Sequence, residues 1–193
     1  MKHFQRLITL HLLTASLFVL YNSAFFAHAA SAPRSQRIVS LAPSVTETLF
    51  ALGFGNRVVG VTTYCDYPAE ARKLPKIGGF MNPSLEAIAA KRPDFVIGVS
   101  SATDPVKARE MERLGLKVTL ISLASVNDIL SSIKSIARLL GSPEAGEKLV
   151  DKISLQFDEI KKRVASAPRR TTLLAVGLRP LVVVGGKNFI NEL

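Results

Sequence analysis

The side chains able to do chemistry gather in a few short segments rather than in one motif. Ser44 follows Ala42-Pro43, and Tyr64, Cys65, Asp66 and Tyr67 fall together in residues 63–68. Phe80 sits in Gly78-Gly79-Phe80-Met81-Asn82, and hydroxyls recur through 100–104 and 122–125. Aromatic faces and hydroxyls hold a large planar ligand by apolar burial and a few hydrogen bonds. They are not the equipment of hydrolysis. All three histidines, His3, His11 and His28, lie in the first thirty residues. If that stretch is removed, the chain has no Ser-His or Cys-His pair and no imidazole metal site. Asp66 is the nearest acid or base, and it has no visible partner. Cys65, the single cysteine, reads as a small buried hydrophobe. No catalytic residue, metal ligand or cofactor is expected.

Familiar motifs fail on order or composition. Gly53-Phe54-Gly55 with Gly60 lies after a helical pattern and before a strand, the reverse of a dinucleotide loop. Neither a G-x-x-x-x-G-K-[ST] loop nor a G-x-S-x-G elbow is present. The basic runs Lys161-Lys162-Arg163 and Arg169-Arg170 have no interleaved aromatics, so they read as a solvated face and not as a nucleic-acid site.

The leader itself has three parts. Lys2 and Arg6 precede an uncharged, mostly apolar stretch from Leu7 to Phe26, and Ala27-His28-Ala29 is a small-residue cleavage signal. This predicts a secretory signal peptide over residues 1–29 and an exported chain. The whole sequence has 193 residues, 25 basic side chains against 15 acidic, and 48% hydrophobic residues. Loss of Lys2 and Arg6 leaves a net charge of +8. That balance suits a medium globular domain and excludes a disordered tail or a disulfide scaffold.

The elements that must position these segments alternate. Apolar runs at 38–42, 58–61, 95–99 and 118–123 read as strands buried on both faces, the signature of a parallel sheet covered by helices. Ser44-Val45-Thr46-Glu47 reads as a capping box opening a helix that stops at Gly53. Ser84 is expected to cap a helix through Ala90, and Pro105 to begin one reaching Leu114. Residues 37–124 thus describe a doubly wound α/β lobe. Residues 125–167 form a helical region. Ser125 with Asp128 caps its first helix, and a long second helix spans about 143–165, with Val150, Ile153, Phe157, Ile160 and Val164 as its stripe. Strands are expected to resume at 172–176 and 181–184, opening a second α/β lobe over 168–193. Two strands and a nascent helix cannot bury their own apolar faces, so the chain reads as stopping inside that lobe.

The stretch Arg37-Ile38-Val39-Ser40-Leu41-Ala42-Pro43-Ser44-Val45-Thr46-Glu47 leads to Tyr64-Cys65-Asp66-Tyr67-Pro68. Gly78-Gly79-Phe80, Pro83-Ser84-Leu85-Glu86 and Lys91-Arg92-Pro93-Asp94-Phe95-Val96-Ile97 follow. The series resembles periplasmic cobalamin-binding proteins, within the importer family for vitamin B12, haem and ferric siderophores. The resemblance implies two α/β lobes joined by a long backbone helix. It also implies a periplasmic monomer that captures its ligand between the lobes and delivers it to an inner-membrane ABC permease. By the same resemblance Ser44, Tyr64, Asp66 and Phe80 are ligand-binding residues, and Glu86 docks the permease. Two positions where the cobalamin branch can present aromatics are Val99 and Val176 here, which keeps a haem or siderophore ligand open. An exported α/β enzyme and an inactive truncated product are the alternatives of other classes.

Overall fold

The computed structural model describes residues 36–168, 170–186 and 189–192. The leader expected over 1–29 lies outside these residues. Four strands, β1 (Ile38–Ser40), β2 (Val58–Val61), β3 (Phe95–Val99) and β4 (Val118–Ile121), form one parallel sheet in the order β2-β1-β3-β4. Between them run α1 (Pro43–Ala51), α2 (Leu85–Ala90) and α3 (Pro105–Arg113), followed by α4 (Val126–Leu139) and α5 (Pro143–Val164).

Consecutive strand residues feed opposite faces, as a pleat requires. Ile38 and Ile97 pack with Val45 and Leu49 of α1 and Ile133 and Ile136 of α4. Their neighbours Val39 and Val96 pack with Ile77, Ile88 of α2 and Met111 of α3. Helices therefore cover both faces, and the lobe is doubly wound as the apolar runs imply. α4 and α5 pack closely because α5 presents Gly146, where an added Cβ would stand 2.6 Å from that of Ala137.

The helix starts follow local chemistry, with one correction. Ser84 accepts from the Ala87 amide at 3.1 Å, and Ser125 and Asp128 form a reciprocal capping box. At α1 the expected capping box is absent. The helix begins at Pro43, and Ala42 stands extended before it at φ −150°. Proline suits the first helical position and pushes the preceding residue out of helical geometry. Ser44 thus lies inside the first turn, its side chain not consumed by a cap.

Beyond α5 two further strands among the described residues, β5 (Ala175–Leu178) and β6 (Leu181–Val183), pair antiparallel in a small sheet of their own. The first begins three residues later than the apolar pattern suggests. A 3-10 turn, Phe189–Glu192, follows. No helix among the described residues is long and apolar enough to cross a membrane.

Candidate functional site

The chain leaves β1 to one side for β2 and returns on the other for β3. Loops departing the carboxyl ends of β1 and β3 diverge there, and in open parallel sheets that divergence is where a crevice forms. A cavity of about 690 Å³ occupies this place. Pro43 and Ser44 line it from the start of α1, and Val99, Ser100 and Ser101 from the end of β3. Ser122, Leu123 and Ala124 line it from beyond β4, and Tyr64, Phe80 and Phe189 from three separate loops. Tyr64 is the only ionisable side chain among these residues.

Each of the first two aromatics is held from behind. Cys65 is fully buried, with its sulfur 3.2 Å from Thr46 Oγ1 and 3.1 Å from Thr62 Oγ1. The Cys65 amide donates to the Thr62 carbonyl at 3.1 Å, and Lys76 Nζ donates to the Cys65 carbonyl at 3.0 Å. A buried anchor at 65 turns its neighbour outward, and Tyr64 stands 68% exposed. Phe80 rides on a loop laid along the end of β2. The Ile77 amide donates to the Val61 carbonyl at 3.0 Å, and the Thr63 amide to the Gly78 carbonyl at 2.9 Å. Gly78 takes φ +104°, and a Cβ there would stand 2.9 Å from the Asn82 carbonyl oxygen. Only glycine satisfies both constraints cheaply. Lys107 of α3 ties the tip by donating to Asn82 Oδ1.

The hydroxyl side is fixed likewise. Ser132 Oγ donates to the Ser122 carbonyl at 2.8 Å, and Ser122 Oγ donates to Asp128 Oδ2 at 3.2 Å. The capping box of α4 therefore also sets the loop that closes one flank of the cavity.

The structure brings Ser44, Tyr64 and Phe80 together and leaves Asp66 apart. Asp66 is exposed and does not line the cavity; its carbonyl accepts from Arg72 Nε at 2.8 Å, which steadies the loop. Val99 lines the cavity, whereas Val176 is 63% exposed in β5 and does not. Phe189 is the lining residue that the sequence does not announce. Its only signal there is an aromatic placed three residues after Gly185-Gly186, too generic to assign to a pocket. Lys91 and Asp94, from the Lys91–Ile97 motif, prove to be scaffolding. Arg37 donates from its guanidinium to the Lys91 carbonyl at 2.7 and 3.0 Å, and its amide donates to Asp94 Oδ2 at 2.7 Å.

Glu86 lies away from the cavity, exposed in the first turn of α2. Its own backbone amide, and then Ser84 Oγ donating to Oε2 at 2.9 Å, hold its carboxyl below the usual carboxylate range. Among the described residues no group of three or more His, Cys, Asp or Glu side chains is placed to hold a metal ion.

A family model described as periplasmic binding protein matches residues 38–193. The vitamin B12-binding protein of Vibrio campbellii is 26% identical over 174 residues, 90% of this chain and 62% of that protein. The vitamin B12-binding protein of Yersinia pestis is 26% identical over 83% of this chain and 58% of that protein. Among solved structures, the apo periplasmic heme-binding protein RhuT from Roseiflexus sp. RS-1 superposes with a TM-score of 0.74 at 28% identity, covering 81% of this chain and 62% of that one. The periplasmic vitamin B12 binding protein BtuF of Vibrio cholerae shares the fold, with a TM-score of 0.70 at 24% identity over 77% of this chain and 58% of that one. The chain spans about 60% of the length of the curated relatives it matches.

Proposed function

The chain belongs to the periplasmic binding protein family, and from that premise we propose that it captures a large tetrapyrrole, cobalamin or a related corrinoid, and passes it unaltered to an inner-membrane ABC permease. The observation that carries this reading is the lining of the cavity: aromatic faces from three loops, four serine hydroxyls and a single ionisable group. Such a lining removes apolar ligand surface from water and orients it with a few hydrogen bonds. It holds no acid paired with a base, which favours capture over turnover. The volume, about 690 Å³, falls within the range of roughly 300–1,000 Å³ that small-molecule sites occupy.

On this reading Ser44, Tyr64 and Phe80 contact the ligand, and Glu86 presents a charge to permease arginines. The protein works in the periplasm as a monomer after loss of residues 1–29. Asp66 acts on the ligand only through the loop it steadies. The two curated relatives support a cobalamin ligand by what they are called. A haem ligand is the second reading, favoured by Val99 where an aromatic would serve a corrinoid and by the superposition on a heme-binding protein.

Calorimetric titration of residues 30–193 with cyanocobalamin, haemin and a ferric siderophore separates these readings. Saturable heat with cyanocobalamin alone supports the first, and heat with haemin alone supports the second. A siderophore as sole ligand, or no heat at all, overturns the tetrapyrrole assignment.

A further inference from the structure

The turn at 189–192 reaches back to the first lobe at two points. Glu192 Oε2 accepts from the Val126 amide at 2.9 Å. Val126 is the first residue of α4, and its amide is one of the donors a helix leaves unpaired. Two neighbouring donors are engaged by the capping box: the Asp128 amide binds Ser125 Oγ at 3.0 Å, and the Ser125 amide binds Asp128 Oδ2 at 3.2 Å. A carboxylate from 66 residues further along the chain thus adds a third hydrogen bond at this terminus. It also suits the positive end of the helix dipole. Within the turn, Asn191 Nδ2 donates to the Gly185 carbonyl at 2.8 Å, closing the segment on itself. Three residues before Glu192, the ring of Phe189 lines the main cavity and an adjoining one of about 140 Å³. That smaller cavity also touches Ser44, Thr48, Ile129 and Ile133, so the ring stands between α1 and α4.

We propose that Phe189 is a ligand-contacting residue of the cleft and that Glu192 is its positioning residue, latching the turn to α4 so that the ring faces the ligand. This rests on the tetrapyrrole reading and extends it. With the ring in place the cavity is still about 690 Å³, so Phe189 borders open space and does not fill it. The ring adds an aromatic face, which Val99 does not supply. It comes from a part of the chain remote from Tyr64 and Phe80, which makes the latched turn a separate wall of the site.

The sequence contains no tryptophan, so Phe189→Trp introduces a unique fluorescent reporter. Two measurements test the proposal on the full exported chain. The first is the affinity for cyanocobalamin and haemin of the wild type, Phe189→Ala, Phe189→Trp, Glu192→Ala, Glu192→Gln and the double alanine variant. The second is acrylamide quenching of the Phe189→Trp variant without ligand, with and without Glu192→Ala. Phe189→Ala is expected to weaken binding about tenfold and Phe189→Trp to retain it, as for loss or retention of one aromatic contact. Glu192→Ala is expected to weaken it less, Glu192→Gln, which keeps an acceptor oxygen, to restore it, and the double variant to match Phe189→Ala alone. The introduced indole is expected to be shielded, and to become freely quenched when Glu192 is replaced by alanine. Wild-type binding that Phe189→Ala leaves unchanged or tightens overturns the inference alone. Quenching that ignores Glu192 overturns the latch. No binding by the wild type overturns the functional reading, and the contact role with it.

Discussion

At the scale of single residues, exposure separates side chains open to the cavity from those that hold the loops behind them. Tyr64 and Cys65 are adjacent, yet one is 68% exposed and the other fully buried. Tyr64→Ala is therefore expected to leave the melting temperature within about a degree while lowering affinity for the proposed tetrapyrrole ligand roughly tenfold, about 1–2 kcal/mol. Paired thermal melts and titrations read this directly, and a large loss of stability would show that the ring packs its own loop instead. Glu86 offers a second test, in pH. Its carboxyl is held below the ordinary value by its own amide and by Ser84. A depressed folded-state value means the charge, and whatever it stabilises, is present at neutral pH and is lost only as pH falls through that depressed value. A carboxyl-carbon NMR titration should thus place Glu86 below a free glutamate. Ser84→Ala should move it back toward the ordinary range and also cost α2 its cap, about 1 kcal/mol. An unmoved titration would mean that the Ser84 hydroxyl does not bind the carboxylate.

At the scale of elements, the site depends on loops whose shape is set by a few backbone constraints. Gly78 is the sharpest, because its φ of +104° and its closeness to Asn82 both exclude a side chain. Gly78→Ala should destabilise the fold by about 1 kcal/mol or more, since the mutant must either strain at positive φ or shift the turn. It should also weaken ligand binding as much as Phe80→Ala does, because the turn carries that ring. Urea denaturation and calorimetry on both variants check this; full affinity in Gly78→Ala would show that the loop tolerates reshaping. The same contrast explains what the sequence makes legible. The strands are legible because buried parallel strands are apolar on both faces, and α2, α3 and α4 because Ser84, Pro105 and Ser125 mark their starts in one-dimensional pattern. The start of α1 misleads because two local rules compete at 43–46, and the proline governs. Ser44, Tyr64 and Phe80 can be placed near one another because loops at the carboxyl ends of parallel strands must meet. Phe189 cannot, since a contact to a helix start 66 residues before Glu192 leaves no local trace. The exclusion of Asp66 from the cavity depends on which way the loop turns about the Cys65 anchor, equally invisible in sequence.

At the scale of the whole molecule, the described core ends well before the chain does. Among the described residues the last buried apolar one is Val150, and along α5 the stripe grows more exposed until Ile160 and Val164 stand more than half exposed. Leu173, Val176, Leu178 and Leu181 are each over 60% exposed around a two-stranded hairpin, too small a unit to bury them itself. Exposed apolar surface of this density binds dyes and invites proteases. The lobe beneath it rests on a parallel sheet with helices on both faces. Residues 36–165 alone should therefore unfold in one cooperative step. Their melting temperature should lie within a few degrees of that of 30–193, the difference being chiefly the Glu192 cap on α4, worth about 1 kcal/mol or less. The shorter chain should bind less of an apolar dye such as anilinonaphthalene sulfonate. Trypsin acting on the longer chain should cut first after the basic residues between 161 and 179, leaving a resistant fragment that contains the whole parallel sheet. The same cut removes Phe189, so ligand affinity should fall while stability holds. Loss of the cooperative transition on truncation at 165 would mean instead that the hairpin contributes to the core of the first lobe. The separation of scaffold from ligand wall at α5 would then be wrong.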